Sequence, residues 1–370
     1  MQANHPRVVM SSAAPSTDDE LFQRRILQGV SRTFALTIPQ LPAGLDRAVS
    51  NAYLLCRIAD TIEDDAGLSF EDKRRYAAEF MAIVEGQAAA DTFALELSPR
   101  LASHASAAER ELIAQTARVI RITHSLNGRV QRAMARCVRI MAEGMVFYQG
   151  QETLDGVEDQ GAMDRYCYYV AGVVGEMLTS LFCDHCPELA ARETEMMHLA
   201  VSFGEGLQMT NILKDIWDDR ARGACWLPRD LFAVKGVVLS DVAAGQGGPA
   251  FTDGLGQLIA IAHGHLRNAL RYTLIIPASE PGIRRFCLWA LGMAVLTLRK
   301  LDAQRDFASG QQVKISRKAV KATVVATNLL VSCDWLLNGL FALSSTGLPQ
   351  RRIATPLASV ADIAGSPVAR

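Results

Sequence analysis

The amino-acid sequence predicts an all-α fold, and three observations support this prediction. Between residues 21 and 343 the apolar residues recur at the three- and four-residue spacing of one helix face. The interiors of these segments are rich in Ala, Leu and Met, which favour helices. The period-2 alternation that is typical of strands is rarely sustained. We therefore predict a single helical domain that packs around a central pocket.

Turn-forming residues divide the predicted helices at five places. In chain order these are Pro39-Gln40-Leu41-Pro42, Asp155-Gly156, Pro187, the glycine-rich stretch 236–256, and residues 277–282. The longest predicted loop is residues 238–254. We expect residues 1–19 and 346–370 to be mobile ends, and residues 20–345 to form the helical domain.

The composition excludes several classes of protein. The chain has 370 residues, of which 49% are hydrophobic, with 38 basic and 39 acidic side chains. This hydrophobic content suffices for a large core and excludes intrinsic disorder. A net charge of −1 creates no global attraction for polyanions, so we expect no nucleic-acid partner.

The sequence also indicates a cytoplasmic protein. The N-terminal residues lack the apolar core of a secretory signal, and the eight scattered cysteines predict free thiols. No run of about 20 uninterrupted apolar residues predicts a membrane-spanning helix. The nearest candidate, residues 324–343, contains Asn328, Asp334 and Asn338, which favour an amphipathic helix that is packed or lies on a surface.

A first cluster of acidic residues follows the apolar run at residues 48–56. On a helix, Asp60 and Asp64 lie one turn apart on one face, with Arg57 one turn earlier and Glu63 beside them. Like charges at this spacing destabilise an isolated helix by roughly a few tenths of a kcal/mol. The cluster therefore predicts a compensating cation. Magnesium fits, because it is a hard ion that binds carboxylate and phosphate oxygens.

A second predicted helix carries a continuous polar stripe. Its members follow one another at three or four residues: Gln208, Asn211, Asp215, Asp219 and Arg222. Their neighbours are mainly apolar, so we expect a packed helix whose stripe faces a polar cavity. Asp65 and Asp218 lie off the two stripes and are expected to be solvated.

Either cluster alone is typical of a solvated acidic helix end. Two copies on apolar helices instead favour a site where magnesium ions bind a diphosphate group and assist its departure. The chain has no Gly-x-Ser-x-Gly, Walker or strand-borne Gly-x-Gly-x-x-Gly motif. This argues against hydrolase, P-loop kinase and dinucleotide-binding functions.

Four ordered segments resemble those of the squalene and phytoene synthase family, the head-to-head prenyltransferases. They are Ser31-Arg32-Thr33-Phe34-Ala35, LLCRIADTIEDD, YCYYVAGVVG at residues 166–175, and LQMTNILKDIWDD. The resemblance covers residues 21–343. Within the family the chain looks closer to squalene synthases, because DTIEDD, Phe286-Cys287 and Val313-Lys314-Ile315 resemble segments of those enzymes.

The resemblance implies an isoprenoid-synthase fold, a single helical domain around a central substrate cavity. It implies that two farnesyl diphosphates condense to presqualene diphosphate, which is then reduced to squalene, with release of both diphosphates. The implied cofactors are Mg²⁺ and NADPH. The hydrocarbon product implies an apolar exit and a peripheral membrane contact for its release.

The resemblance also implies roles for individual residues. Magnesium and the diphosphates are expected at Asp60, Glu63, Asp64, Asn211, Asp215 and Asp219. Substrate is expected to bind Ser31, Arg32, Thr33, Phe34, Arg57, Gln208, Asn211, Arg222 and Phe286. The expected catalytic groups are Tyr166, which would abstract a proton before the cyclopropane forms, and Arg57, Asp60, Asp64, Asp215 and Asp219. The phosphates of NADPH are expected to meet Arg32, Arg57, Lys314 and Arg317, since guanidinium groups donate paired hydrogen bonds to phosphate.

Two departures from the family pattern leave alternatives open. The arginine that commonly follows the second acidic motif by five residues is replaced by Ala224, for which Arg222 or Arg220 could substitute. Squalene synthases tend to have Pro-Gln where this chain has Ala290 and Leu291. One alternative is an enzyme that stops at presqualene diphosphate, or makes dehydrosqualene or phytoene without NADPH. Another is a non-catalytic assembly protein with this fold, although both acidic clusters are intact.

Overall fold

A computed structural model describes residues 14–31, 33–101, 105–150 and 152–354. The regular structure in these ranges is helical, apart from one isolated bridge between Val157 and Pro228. The all-α prediction is therefore confirmed. The chain divides into two compact units, unit 1 (Met1–Ala35 with Arg47–Ala142) and unit 2 (Leu36–Asp46 with Glu143–Arg370). The domain bounds expected from the sequence stay a prediction.

Unit 1 is built from short and medium helices. Those that begin in it or at its edges are α1 Thr17–Val30, α2 Phe34–Thr37, α3 Leu45–Asp64, α4 Phe70–Val84, α5 Ala90–Leu97, α6 Ala107–Ala114, α7 Thr116–Ser125 and α8 Gly128–Gln149. Helix α1 packs on α6 and α7, and α5 packs on α4, α6 and α7.

The start of α1 is fixed by hydrogen bonds and by a buried ion pair. Ser16 caps the helix, and its hydroxyl and the Asp19 carboxylate each accept the other's backbone N–H. Asp19 is buried, and Arg121 of α7 donates to both of its carboxylate oxygens at 2.7 and 3.0 Å. The hydrogen bonds from Arg121 lower the pKa of Asp19 to about 2. This pair ties α1 to α7.

Unit 2 is organised around long helices. Its elements are α9 Gln160–Cys167, a π-helical segment Tyr168–Gly172, α10 Val173–His185, α11 Pro187–Ala190, α12 Glu193–Ala221, α13 Arg229–Ala233, α14 Gly248–Ile275, α15 Pro281–Ala303, α16 Arg317–Leu330 and α17 Asp334–Ser344. Helices α12, α14 and α15 pack on one another and contribute much of the core.

Glycines let α12 approach the π-helical segment and α10 very closely. A Cβ on Gly204 would lie 2.3 Å from the carbonyl oxygen of Ala171, and a Cβ on Gly175 would lie 2.3 Å from that of Ala200. Any side chain at either position would clash with backbone, so glycine is required by the packing.

The predicted breaks at residues 155–156, 187 and 277–282 lie between helices or where one begins. The break at residues 39–42 lies between α2 and α3, where Ile38–Gln40 forms a short 3-10 helix. The predicted loop at 238–254 is too long, because α14 already begins at Gly248 and contains Gly254 and Gly256. These glycines serve packing. A Cβ on Gly254 would lie 2.4 Å from the ring of Phe232, and Arg305 closely covers Gly256. The C-terminal part of this glycine-rich stretch, from Gly248 onward, therefore belongs to a helix and not to a loop.

The described part of the C-terminal segment packs against α14. The carbonyl of Pro349 accepts a hydrogen bond from His263 Nδ1 at 2.9 Å, and the carbonyl of Arg351 lies close to Gly264. Residues 1–13 and 355–370, which make up most of the predicted mobile ends, lie outside the described residues.

One continuous helical stretch, Gln160–His185, is long and apolar enough to be considered as a membrane span. Just over half (56%) of its apolar window is buried inside the protein, as in a core helix, so the signal is weak. The sequence analysis did not single out this stretch. Its own nearest candidate, residues 324–343, is interrupted between α16 and α17. All eight cysteines are free thiols, as predicted.

Candidate active site

The first acidic cluster lies at the C-terminal end of α3 in unit 1. Ile58 and Ile62 are buried, and the three acids lie on the other side of the helix. Asp60 and Glu63 are half-buried, while Asp64 is exposed. The predicted grouping of these acids on one side of a packed helix is confirmed.

The carboxylates of this cluster perturb one another. Burial raises the pKa of Asp60 to about 7 against the opposing charge of Arg57, and Asp64 adds to the rise. Burial and the charges of Asp64 and Asp60 raise the pKa of Glu63 to about 8, while Lys73 opposes the rise. Asp60 is still 29% exposed, so a ligand can reach it from solvent. A bound cation would favour the charged form of each acid.

These acids fit a magnesium ion that binds together with a diphosphate. Among the residues that the structure describes, no group of three or more His, Cys, Asp or Glu side chains forms a ready metal-binding cluster. Magnesium does not need one, because it is usually held by one or two carboxylates plus substrate phosphates. The mutual repulsion of Asp60, Glu63 and Asp64 is the feature that such an ion would relieve.

Arg57 lies between acidic and aromatic groups. Its Nη1 is 4.0 Å from Asp60 Oδ2 and 3.6 Å from Glu109 Oε1 of α6, and its Nη2 donates to the hydroxyl of Tyr53 at 3.2 Å. Its buried Nε has no hydrogen-bond partner among the residues that the structure describes. The guanidinium is therefore held in place and keeps one donor unused.

The predicted substrate residues Phe34 and Ser31 join the same group through Tyr53. The ring of Phe34 lies 4.8 Å from that of Tyr53, centroid to centroid, and the Ser31 hydroxyl accepts the backbone N–H of Phe34 at 3.0 Å. The Tyr53 hydroxyl in turn donates to the carbonyl of Val30 at 3.2 Å. Thr33 is exposed, and Arg32 lies outside the described residues.

Sequence reasoning missed three residues of this group. Tyr53 could have been found, because it lies four residues before Arg57 on the same helix face. Glu109 and Lys73 come from α6 and α4, and their positions give no such signal. Lys73 Nζ donates to the carbonyl of Glu63. Only the packing of unit 1 brings them to the acids.

Asp65 was expected to be solvated, and this expectation is wrong. Helix α3 ends at Asp64, and Asp65 turns inward, where it is 4% exposed. Its Oδ1 accepts the backbone N–H of Gly67 at 2.8 Å, which stabilises the turn after the helix. Asp218, for which the same was expected, is exposed.

The second acidic stripe lies on α12 in unit 2. Gln208 and Asp215 are half-buried, Asn211 is exposed, and Asp219 is buried. Asp215 Oδ2 lies 3.0 Å from Lys214 Nζ. Burial raises the pKa of Asp219, although the hydrogen bond from Arg222 opposes this rise. The predicted polar residues from Gln208 to Asp219 lie on one packed helix, and Arg222 caps its C-terminal end. That the stripe faces a polar cavity stays a prediction.

The structure distinguishes the two arginines that could replace the one missing at Ala224. Arg222 Nη2 lies 2.5 Å from Asp219 Oδ1. The guanidinium of Arg220 is instead occupied by backbone carbonyls, among them Val242 at 2.8 Å. Ala224 is buried, and its N–H donates to the carbonyl of Asp219. Of the two arginines, Arg222 is therefore the one that pairs with an acid of the second cluster.

A segment after α15 lies against the acidic end of α12. Trp217 Nε1 donates to the carbonyl of Phe307 at 2.6 Å. A Cβ on Gly310 would lie 3.3 Å from Asp215 Oδ1, so this glycine closely borders the acid. Lys314 follows a few residues later, and both it and Arg317 at the start of α16 are exposed. The sequence analysis did not single out Gly310.

Tyr166 lies near the end of α9, directly before the π-helical segment. Its ring stacks on Trp226 with centroids 3.9 Å apart and planes 5° apart, and meets the edge of Tyr148 at 5.2 Å. Tyr168 instead packs on Tyr169 and donates its hydroxyl to Glu176 at 3.0 Å. Because Tyr169 also lies 6.1 Å from Tyr148, Tyr148 connects Tyr166 to Tyr168 and Tyr169. Trp226 is the stacking partner that reasoning from the sequence missed.

Two further features lie apart from these groups within unit 2. Phe286 is buried in α15 and contacts the edge of Phe182 at 6.0 Å. A cavity of about 300 Å³ lies among α14, α15, α16 and α17, and its mainly apolar lining includes Leu291 and Phe341. None of the predicted site residues in the described ranges lines this cavity.

Comparisons with known proteins identify the family of the chain. Residues 27–319 match the model of the squalene/phytoene synthase family. A squalene synthase of Eremothecium gossypii is 29% identical over 276 residues, which are 74% of this chain and 60% of the relative. A squalene synthase of Schizosaccharomyces pombe is 29% identical over 320 residues, 85% of this chain and 66% of the relative. The chain thus spans about 60 to 66% of the length of these curated relatives.

The fold has a solved counterpart. The structure of TcSQS in complex with the ligand BPH1237 is 25% identical and superimposes with a TM-score of 0.73. The match covers 91% of this chain and 94% of that one.

Proposed function

Because the chain belongs to the squalene/phytoene synthase family and has the isoprenoid-synthase fold, we propose that it is a magnesium-dependent squalene synthase. Two farnesyl diphosphates would condense to presqualene diphosphate with loss of one diphosphate and one proton. A hydride from NADPH would then convert presqualene diphosphate to squalene with loss of the second diphosphate. The observation that carries the proposal is the pair of acidic helices, α3 and α12, in a chain of this family.

In this proposal each acidic helix binds diphosphate-bound magnesium. Asp60, Glu63 and Asp64 are the ligands on α3, and Asp215 and Asp219, with Asn211 beside them, are the ligands on α12. Magnesium supplies positive charge that stabilises the departing diphosphate. The raised pKa values of Asp60, Glu63 and Asp219 support this role, because each of these acids is destabilised as an anion until a cation arrives.

The remaining residues of the proposal bind and orient the substrate. Arg57 has an unused Nε donor and a position fixed by Tyr53 and Glu109, so it can bind a diphosphate oxygen. Ser31, Phe34 and Gln208 are proposed to contact substrate, with Arg32 and Thr33 beside them. Phe286 is also proposed to bind substrate; it is buried in α15, where its ring packs against that of Phe182.

Tyr166 is proposed to take the proton that is lost when the cyclopropane forms, at its phenolic oxygen. Its ring is held flat against Trp226, which fixes the direction of that oxygen. The phosphates of NADPH are proposed to meet Lys314 and Arg317, with Arg32 and Arg57. Lys314 and Arg317 suit phosphate by charge and exposure.

The product is a hydrocarbon, and we propose that it leaves toward a lipid surface from a cytoplasmic enzyme. Eight free thiols, seven of them buried, support a reducing compartment.

Product analysis tests the proposal. The purified chain is incubated with farnesyl diphosphate and Mg²⁺, with and without NADPH, and the extracted lipids are identified. Squalene that appears only with NADPH is the expected result. Presqualene diphosphate or dehydrosqualene in both reactions would instead favour the enzyme without a reduction step, for which Ala290 and Leu291 are the supporting departure. Absence of product from any prenyl diphosphate would favour the assembly protein.

A further inference from the structure

The outward face of the last two helices carries an unusual concentration of exposed apolar side chains. The described residues include ten large hydrophobic side chains that are exposed, and four of these lie between residues 325 and 343. They are Val325, Leu329, Trp335 and Leu343, each between 58% and 79% exposed. Large apolar side chains that are exposed in one region of a protein in this way are typical of interaction surfaces.

The side chains are arranged in two helical stripes. On α16, the exposed residues Lys318, Lys321, Val325 and Leu329 follow one another at three or four residues. On α17, Trp335 and Leu343 lie two turns apart on one exposed face. We call these six residues the α16–α17 face.

The opposite sides of both helices are already occupied. Thr327 of α16 and Leu337 of α17 are buried, and both line the cavity against α14 and α15. Arg284 of α15 donates to the carbonyl of Val331 at 2.9 Å and to Asp334 Oδ1 at 2.7 Å, which holds the turn between the helices. The α16–α17 face is therefore the outer side of an anchored helical pair.

The charge of this region differs from that of the whole chain. Residues 311–347 contain four basic side chains, Lys314, Arg317, Lys318 and Lys321, whereas their one acidic side chain, Asp334, is paired with Arg284. The whole chain carries a net charge of −1. Basic residues beside apolar ones, with a tryptophan among them, are typical of helices that lie in a membrane interface.

We propose that the α16–α17 face docks on an anionic phospholipid bilayer. Lys318 and Lys321 meet the headgroup phosphates, and Val325, Leu329, Trp335 and Leu343 enter the boundary between headgroups and acyl chains. The proposal deepens the membrane contact proposed for product release, but it rests on this surface alone. Binding to vesicles therefore tests it whether or not the proposed reaction takes place.

Two other occupants fit the face less well. A second copy that met it by two-fold symmetry would bring the lysines of both copies into one interface, where like charges repel. Residues 355–370 of this chain contain one acidic residue, Asp362, and one basic residue, Arg370, so they offer no net negative charge. An anionic bilayer complements both the charge and the apolar side chains.

The experiment measures sedimentation of the full chain with vesicles of phosphatidylcholine alone or mixed equally with phosphatidylglycerol. We expect binding to the mixed vesicles and at least about tenfold weaker binding to the neutral ones. Tryptophan fluorescence should shift to the blue on binding, because Trp335 is the exposed one of the four tryptophans. Trp335→Phe should remove the shift while vesicle binding persists.

Paired variants test the two halves of the face. Lys318→Glu with Lys321→Glu, and separately Leu329→Ser with Trp335→Ser, should each weaken binding at least about tenfold. Arg24→Glu and Leu95→Ser are matched controls, because both residues are exposed and belong to unit 1. They should bind like the wild type. All four proteins should keep the wild-type unfolding temperature, which separates docking from folding.

Three results would overturn the proposal. The first is vesicle binding that is equally strong with and without phosphatidylglycerol, or that is unchanged in both paired variants. The second is a concentration-dependent dimer that Leu329→Ser with Trp335→Ser abolishes while vesicles are not bound, which would assign the face to a second copy. The third is vesicle binding that appears only after residues 355–370 are removed, which would assign the face to that segment.

Discussion

Replacing Gly204 by alanine tests the close approach of α12 to the π-helical segment. The added Cβ would lie 2.3 Å from the carbonyl oxygen of Ala171 and 2.8 Å from the amide nitrogen of Gly172. A carbon and an oxygen normally approach to about 3.3 Å, so the two elements must separate by about 1 Å. The obstructing atoms are backbone, so no side chain can rotate away.

The expected loss of stability follows from two opposing terms. Overpacking costs about 1–3 kcal/mol, and the 2.3 Å contact with backbone places this substitution in the upper part of that range, at about 2–3 kcal/mol. Alanine within a helix regains about 1 kcal/mol relative to glycine. We therefore expect the free energy of unfolding to fall by about 1–2 kcal/mol. Because Tyr166 lies five residues before Ala171, the same displacement should also reduce turnover, by about tenfold to a hundredfold.

Thermal unfolding and initial rates measure the two effects. The unfolding temperature of Gly204→Ala should fall by about 2–8 °C. Gly339→Ala is the matched control, since Gly339 is an exposed residue of α17. Apart from its chain neighbours and its own helix backbone, no atom of the described residues lies within 4 Å of its added Cβ. This control should be as stable as the wild type or more stable. The packing argument would be refuted if Gly204→Ala unfolded at or above the wild-type temperature.

Three further predictions concern the acids and their partners. Asp215→Asn should reduce the rate of diphosphate release about a hundredfold or more, because it removes a proposed metal ligand. It should not lower the unfolding temperature, because neighbouring acids repel the Asp215 carboxylate. An unchanged rate would contradict the proposed role of Asp215. The ion pair of Asp19 should contribute about 2 kcal/mol of stability, present above about pH 4 and lost as the pH falls toward 2, because the pKa of Asp19 is lowered from 3.8 to about 2 in the folded state. Urea unfolding at about pH 5 and about pH 3 should therefore show a smaller acid-induced loss for Asp19→Asn than for the wild type, and equal losses would refute this assignment. Tyr53→Phe should lower stability by about 1 kcal/mol and raise KM more than it lowers kcat, because Arg57 loses a hydrogen-bond partner; an unchanged KM would show that Tyr53 does not position Arg57.

Much of the helical architecture could be predicted because it depends on local spacing. The acids of α3 and the stripe of α12 follow directly from residues three and four apart. The prediction from local sequence was wrong at the glycine-rich stretch, because glycine occurs both in loops and at close contacts within helices. The run that includes Gly254 resembles a loop, but Phe232 packs on this glycine, and the contact becomes visible only once α13 and α14 are folded.

In the candidate site, too, contacts within one helix could be predicted from the sequence, and contacts between distant segments could not. Tyr53 was within reach of sequence reasoning, because it precedes Arg57 by one turn. Glu109 was not, because it reaches Arg57 from another helix at 3.6 Å. Trp226 likewise meets Tyr166 across sixty residues of sequence, at a ring separation of 3.9 Å.

The order of apolar and acidic residues along the chain was enough to predict the helical class and the two acidic helices, since helical periodicity is a property of neighbours in sequence. The family was indicated by the resemblance of four ordered motifs. Tertiary packing was needed to show that Asp65 is buried, that Arg222 and not Arg220 accompanies Asp219, and that α16 and α17 expose an apolar and basic face. Each of these facts depends on which groups from distant segments compete for the same side chain or cover the same surface. Local spacing does not encode that competition, because it is decided by the contacts between helices.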